Sequence, residues 1–228
     1  MTLRILSGLA LGLLMTGCAG AETEPAAPAA TGDFQPDNRP LGKTLVYECT
    51  GTEFIARVGP GEMALWLEDR YLVLSQVRSA SGAKYQEGGV LFWSKGEEVL
   101  LEVDGLRYTD CVLNPARAPW EDARRRGVDF RALGNEPGWQ LEIRTGEHLL
   151  WVGDYGASRT LLQNPTLVKE SGLRRYRAGE GDQQLEVTIG DEFCTDTMKG
   201  EQFPSTVTVN FEGRSYHGCG RDLDYPWE

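Results

Sequence analysis

Histidine is scarce in this 228-residue sequence, which holds only His148 and His217. A Gly-x-Ser-x-Gly elbow, a His-Glu-x-x-His helix and a phosphate-binding loop are all missing, which argues against a histidine-based hydrolase and favours a protein that is not an enzyme. Aspartate and glutamate are plentiful, so a carboxylate pair stays open as the one catalytic device the composition permits. Basic residues are also short: 23 Lys and Arg stand against 34 Asp and Glu, a formal charge of −11. Nucleic acid demands a basic surface, so it is not an expected partner. An acidic excess serves solubility, or draws in a basic partner through the field of the whole protein.

No apolar run is long enough to span a bilayer. The longest begins after Arg4 and ends at Thr16-Gly17-Cys18, which reads as a signal peptide over residues 1–17 rather than a membrane helix. Small residues before a cysteine resemble the bacterial lipobox, which implies lipidation of Cys18. Met15 departs from the leucine that motif prefers, and Ala19 after the cysteine resembles the pattern sorted to the outer membrane. The other reading is an ordinary secretory signal with an incidental cysteine. From Cys18 to residue 42 the chain is Ala, Pro, Glu, Thr, Asp and Asn with hardly a large apolar residue, the composition of a disordered tether.

Of the five cysteines, the four beyond Cys18 fall into two brackets, Cys49 with Cys111 and Cys194 with Cys219. An exported protein meets an oxidising compartment, where each such bridge is worth about 2 to 4 kcal/mol. A metal site from Cys194, His217 and Cys219 is the competing reading, and it lacks a fourth ligand and the paired Cys-x-x-Cys spacing. Neither a metal nor another cofactor is expected.

Period-two alternation with Gly-bearing turns predicts strands at Thr44–Cys49, Glu53–Val58, Glu62–Glu68, Arg70–Leu74, Val90–Ser94, Glu97–Val103 and Leu106–Cys111. So many short strands over residues 43–113 predict a small antiparallel β-barrel. Its inward residues are expected to include Val46, Phe54, Ala56, Ala64, Trp66, Leu72, Leu74, Leu91, Leu100 and Tyr108. Ala118–Arg126 has a Pro near its start, acids in its first turn and arginines in its last, which predicts a short helix in a linker spanning 114–128. Strand signals resume at Gln140–Arg144, Leu149–Val152, Arg159–Leu162, Arg174–Ala178, Gln184–Ile189, Thr206–Phe211 and Arg214–Gly218. Residues 129–228 are therefore expected to form a second, mostly-β domain.

Ser81-Gly82-Ala83-Lys84-Tyr85 and Trp93-Ser94-Lys95-Gly96, with Tyr47-Glu48-Cys49 before them and Tyr108 to Cys111 after, resemble the paired motifs of the membrane-bound and periplasmic inhibitors of C-type lysozyme. The resemblance covers the first domain, about a third of the chain. It implies an antiparallel β-barrel whose Ser-Gly-x-x-Tyr loop and Lys-Gly hairpin enter the enzyme's cleft. Ser81, Gly82 and Tyr85 match the first motif and Lys95 and Gly96 the second, with Ser94 where the family often has Thr. C-type lysozymes are typically basic, so the partner would suit an acidic chain. Read without that resemblance, Ser81-Gly82 and Lys95-Gly96 are ordinary turn pairs.

In the second domain, Phe130 to Trp139, Cys194-Thr-Asp-Thr-Met198, Phe203-Pro204 and Gly218-Cys219-Gly220 resemble an uncharacterised domain of bacterial exported lipoproteins, which names no activity. Asn135, Glu136 and Trp139 are candidates for a small polar site, although Asn-Glu-Pro-Gly is also a good turn before a strand. Asp196 and Met198 beside the second cysteine pair read as structural. The alternative to inhibition is a cell-envelope binding or structural lipoprotein.

Overall fold

The computed structural model describes residues 42–67 and 70–224. The expected signal peptide, Cys18 and the tether up to residue 41 lie outside the described residues. Two curled antiparallel sheets with one short helix between them make up the described chain, as the alternating strands predict.

The first sheet contains β1 (Lys43–Cys49), β2 (Thr52–Val58), β3 (Glu62–Leu67), β4 (Arg70–Val77), β5 (Ala83–Glu87), β6 (Val90–Lys95), β7 (Glu98–Val103), β8 (Leu106–Tyr108) and β9 (Val112–Leu113). Strands β1 to β8 form a meander, each paired with the one before it, and β9 returns to pair with β1 at the opposite edge. The two edge strands are thus consecutive in the chain, so the sheet must curl to bring them together. Cys49 and Cys111 are joined at that seam, and the Thr50 amide donates to the Thr109 carbonyl at 3.1 Å. A disulfide there ties the first strand to the last and limits the exposure of both edges.

Tyr47, Phe54, Ala56, Met63, Leu65, Leu67, Leu74, Tyr85, Phe92, Leu101 and Val103 fill this sheet's core. Phe54, Ala56 and Leu74 face inward as expected, with Leu72 and Tyr108 packed partly buried against them. The expected facing is wrong on β3, β6 and β7, where Met63, Leu65, Phe92 and Leu101 point inward in place of Ala64, Trp66, Leu91 and Leu100. Those strands carry apolar residues at consecutive positions, so alternation does not specify a face. Trp66 instead lies outside, beneath the Arg125 guanidinium at 4.6 Å and beside Tyr71. Val46 is fully buried, but on the outer face of β1 that meets the helix. Strand β5 was not among the predicted strands; the strand expected at Leu106–Cys111 is shortened to β8, and β9 lies beyond its expected end.

Helix α1 (Ala118–Arg125) begins where expected. Asn114 accepts hydrogen bonds from the Ala116 and Arg117 amides at 3.1 Å each, satisfying donors that would otherwise be orphaned at the helix start. One face buries Trp120 and Ala123 in a cluster with Val128, Phe203, Cys219 and Leu223. Polar residues tie α1 to both sheets: Asp122 accepts from Thr44 of β1 at 2.7 Å and from Arg126 at 2.9 Å, and Arg126 grips Glu142 through two bonds of 2.8 and 2.7 Å. Glu121, with its side chain fully buried, is held by Arg125 at 2.8 Å.

The second sheet contains β10 (Phe130–Asn135), β11 (Gly138–Arg144), β12 (His148–Gly153), β13 (Ser158–Gln163), β14 (Thr166–Glu170), β15 (Leu173–Ala178), β16 (Leu185–Gly190), β19 (Ser205–Phe211) and β20 (Arg214–Asp222), and β17 (Cys194–Thr195) and β18 (Gln202–Phe203) form a separate small hairpin. Leu162 of β13 and Tyr176 of β15 share one core with Trp139, Trp151 and Val209, so this sheet also curls until its far strands meet. Cys194 is joined to Cys219, fastening the hairpin to β20 and removing both thiolates from any metal-ligand reading.

Burial pushes the Asp122 carboxyl up, but the hydrogen bonds from Thr44 and Arg126 and the charges of Arg126 and Arg57 outweigh it, and its pKa lies below the ordinary carboxylate range. A depressed folded-state pKa gives stability that is present above the unfolded-state value and is lost as pH falls through the folded one. Asp122→Asn is therefore expected to lower the urea midpoint at neutral pH, with the gap from the native protein closing as the pH is taken well below 4. A gap that stays constant down to strong acid would show that the ionised carboxylate contributes nothing.

Candidate functional site

The turn from β4 into β5 carries Ser81 and Gly82, and the turn from β6 into β7 carries Gly96 and Glu97. Strand pairing brings these turns side by side, because Ala83 faces Ser94 and Tyr85 faces Phe92 across β5 and β6. Gly82 has φ +71°, and a Cβ there would lie 2.1 Å from the Ser94 carbonyl oxygen and 3.2 Å from the Lys95 Cα. The backbone of one loop rests on the other, and only glycine permits both the dihedral and the approach.

Two further bonds hold the first loop. The Ser79 hydroxyl donates to the Gly82 carbonyl at 3.0 Å, and the Trp93 indole donates to the Ser81 carbonyl at 2.8 Å. Ser79 lies two residues before the first motif and Trp93 opens the second, and neither has a role assigned from sequence. Their signal was an indole donor across the strand pair from the loop, a relation that only the register reveals. Ser81 itself is exposed, as are Lys95 and Gly96, while Ser94 is half-buried. Lys95 ends β6 opposite Glu98 of β7 and makes no ion pair among the described residues. Exposed carboxylates at Glu97 and Glu98 stand beside it on the same hairpin.

Tyr85 does not join this surface. It is 3% exposed, its ring packs 6.2 Å from that of Phe92, and burial pushes its phenol pKa up. It supports the loop from below and presents nothing to a partner. Ser81, Gly82, Ser94, Lys95 and Gly96 are thus brought together, and Tyr85 lies beneath them. Chemically, the assembly offers one hydroxyl and one ammonium on a preformed ridge, with the ordering cost of binding already reduced by the loop-to-loop contact.

In the second sheet, Asn135-Glu136-Pro137-Gly138 is the turn between β10 and β11. Asn135 donates through its side-chain amide to Asp196, whose other carboxylate oxygen accepts from the Lys199 amide at 2.7 Å. Trp139, 3% exposed, belongs to the core, whereas Met198 is 74% exposed. Glu136 is exposed on the turn.

Residues 47–110 match the family described as membrane-bound lysozyme-inhibitor of c-type lysozyme. Relatives named membrane-bound lysozyme inhibitor of C-type lysozyme are 33% identical over 109 residues in Yersinia enterocolitica serotype O:8 / biotype 1B, covering 46% of this chain and 79% of the relative, and 30% identical over 121 residues in Escherichia coli K12, covering 51% of this chain and the whole relative. A third, from Pseudomonas aeruginosa, is 31% identical over 106 residues, 42% of this chain and 80% of the relative. No solved structure matches significantly.

Gly82 and Gly96 allow the contact to be tested by comparison, since a Cβ at Gly96 would meet nothing within 4 Å. Alanine at either position is expected to cost about 1 to 2 kcal/mol for its left-handed backbone. Gly82→Ala adds a displaced strand end, for a further 1 to 3 kcal/mol or so. Urea unfolding of the two variants checks this, and equal losses would mean that the two loops do not bear on each other.

Proposed function

This chain belongs to the family of membrane-bound lysozyme inhibitors of C-type lysozyme, and from that premise we propose that it inhibits C-type lysozyme by inserting the Ser81-Gly82 loop and the Ser94-Lys95-Gly96 hairpin into the enzyme's active cleft. The observation that carries this reading is the packing of Gly82 on the Ser94 carbonyl, which makes one exposed ridge of two motifs distant in sequence.

A retaining glycosidase cleft holds one protonated and one ionised carboxyl group close together. The Lys95 ammonium supplies a point charge to the ionised one, and the Ser81 hydroxyl donates to or accepts from the other. Each charge-assisted bond of this kind is roughly twice as strong as a neutral one. An ammonium with no ion pair in the described part of the free protein loses no internal partner on entering the cleft. The acidic balance of the first sheet suits a basic enzyme, since residues 43–113 carry seven basic and eleven acidic side chains.

The family name places its members at a membrane. For this chain, we propose attachment of lipid at Cys18 and residence at the outer membrane, with the segment to residue 42 as a tether. Cys18→Ser is expected to move the protein from the membrane to the soluble envelope fraction and to abolish labelling by a palmitate analogue. Membrane retention of the unlabelled variant would remove the lipid from the account.

Truncating one partner of a buried charge pair costs roughly 2 to 5 kcal/mol, so Lys95→Ala is expected to weaken inhibition at least about tenfold. A cell-wall turbidity assay with purified protein and C-type lysozyme reads this directly. In surface-binding kinetics, high salt should slow association through screening over about 8 to 10 Å, while the Lys95 change acts mainly on dissociation. A folded Lys95→Ala variant that inhibits normally would remove Lys95 from the mechanism.

A further inference from the structure

A cleft of about 440 Å³ opens in the second half of the chain, among the start of α1, the β10–β11 turn, the turn at Asp154–Gly156 and the loop that follows Cys194. Its volume falls within the range of about 300–1,000 Å³ typical of small-molecule sites. Segments far apart in sequence meet here: Pro115 to Trp120, Arg131 to Gln140, and Asp196 to Phe203. The walls are mainly apolar, with Trp120, Leu133, Trp139 and Val152 below, and two exposed side chains, Tyr155 and Met198, at the mouth. Tyr155 is held there by its hydroxyl, which donates to the Asn135 carbonyl at 3.3 Å, and its backbone is left-handed at φ 56°, as is that of Asp154 at φ 47°.

The polar groups of the walls decide what could bind. The carboxylates are occupied: Asp196 accepts from Asn135 and from the Lys199 amide, and Glu201 is paired with Arg221 at 2.9 Å. Two cations line the walls, the exposed Lys199 and the buried Arg131, and the buried one is not fully matched. Arg131 is 4% exposed, and the nearest carboxylate, Glu142, stands 3.6 Å from its Nε while already gripped at both oxygens by Arg126. Arg131 Nη2 donates to Gln140, its Nε has only the shared Glu142 at that ion-pair distance and no closer acceptor, and its guanidinium lies 4.7 Å over the Trp120 ring. Trp139 Nε1 is a second buried donor without one. Burial pulls the Arg131 pKa down, as expected where one carboxylate serves two guanidinium groups. Buried donors left unpaired are costly, and both line this cleft.

We propose that this cleft binds a small carboxylate with an apolar body, the anionic end at the Arg131 wall and the apolar part against Trp120, Leu133 and Val152. A cationic ligand would meet Arg131 and find no free carboxylate. A polyol could accept from the unpaired donors, but it carries no charge to complement Arg131 and no apolar body for these walls. An anion with acceptor oxygens and little other polarity fits both the charge and the hydrogen-bond balance.

Titration of the full chain with octanoate and 4-phenylbutyrate, and with the neutral amides of both, tests this through tryptophan fluorescence and calorimetry. The acids are expected to bind at least about tenfold more tightly than their amides. Arg131→Gln should erase that preference. Ala116→Trp, which fills the mouth from an exposed position, should abolish binding while leaving the buried charge cluster untouched, and it serves alone should Arg131→Gln fail to fold. Equal binding of acid and amide, binding that survives Ala116→Trp, or no binding of either acid into the millimolar range would overturn the proposal.

Discussion

The backbone of Gly82 rests on the carbonyl of Ser94, and the working surface of the first sheet depends on that contact. Without it, a serine turn and a lysine hairpin would be two independent loops, each free to sample its own orientations. Ser79 and Trp93 fix the loop's carbonyls, Tyr85 fills the space below, and the up-and-down order of the strands puts both hairpins at the same end. The latch at Cys49 and Cys111 holds the curled sheet closed at its seam. A rigid ridge is the physical requirement for occupying an enzyme cleft without a large entropic cost.

Helix α1 holds the two halves of the described chain together through charged side chains as well as through its apolar face. Asp122 reaches β1, Arg126 reaches β11, and Arg125 covers Trp66, so three side chains at the end of the helix contact both sheets. The arginine run that closes the helix, which suits the helix dipole, is thus also a set of specific partners. Removing one member would leave an uncompensated charge in a partly buried setting, the costly case for ion pairs. The same cluster leaves Arg131 with only part of a counter-charge, which links the joint between the sheets to the chemistry of the cleft beside it.

Much of this was legible in the residues. Alternation located most strands, the cysteine brackets correspond to the two bridges, and the helix was placed by its proline, acids and arginines. Facing was less legible: in Met63-Ala64-Leu65-Trp66-Leu67 both faces are apolar, and only a cover such as Arg125 tells which one meets the helix. Ala83-Lys84-Tyr85-Gln86-Glu87 has no β-branched residue and one aromatic, so β5 carried only a weak propensity signal and is made a strand by its neighbours. The loop residues were visible as motifs, but the burial of Tyr85 and the supporting bonds of Trp93 arise from register. Asn135, Asp196 and Met198 read as turn and disulfide neighbours, and each reading is locally sound. Their convergence on one cleft depends on pairings across strands far apart in the chain.

Hydrogen exchange of the full chain, alone and saturated with C-type lysozyme, tests the central claim most directly. The account predicts slowed exchange at the amides of Ser81, Gly82, Lys95, Gly96 and Glu97, with the second sheet unchanged. Unchanged exchange in those two loops, with protection at the β8–β9 seam or in the second sheet instead, would contradict it.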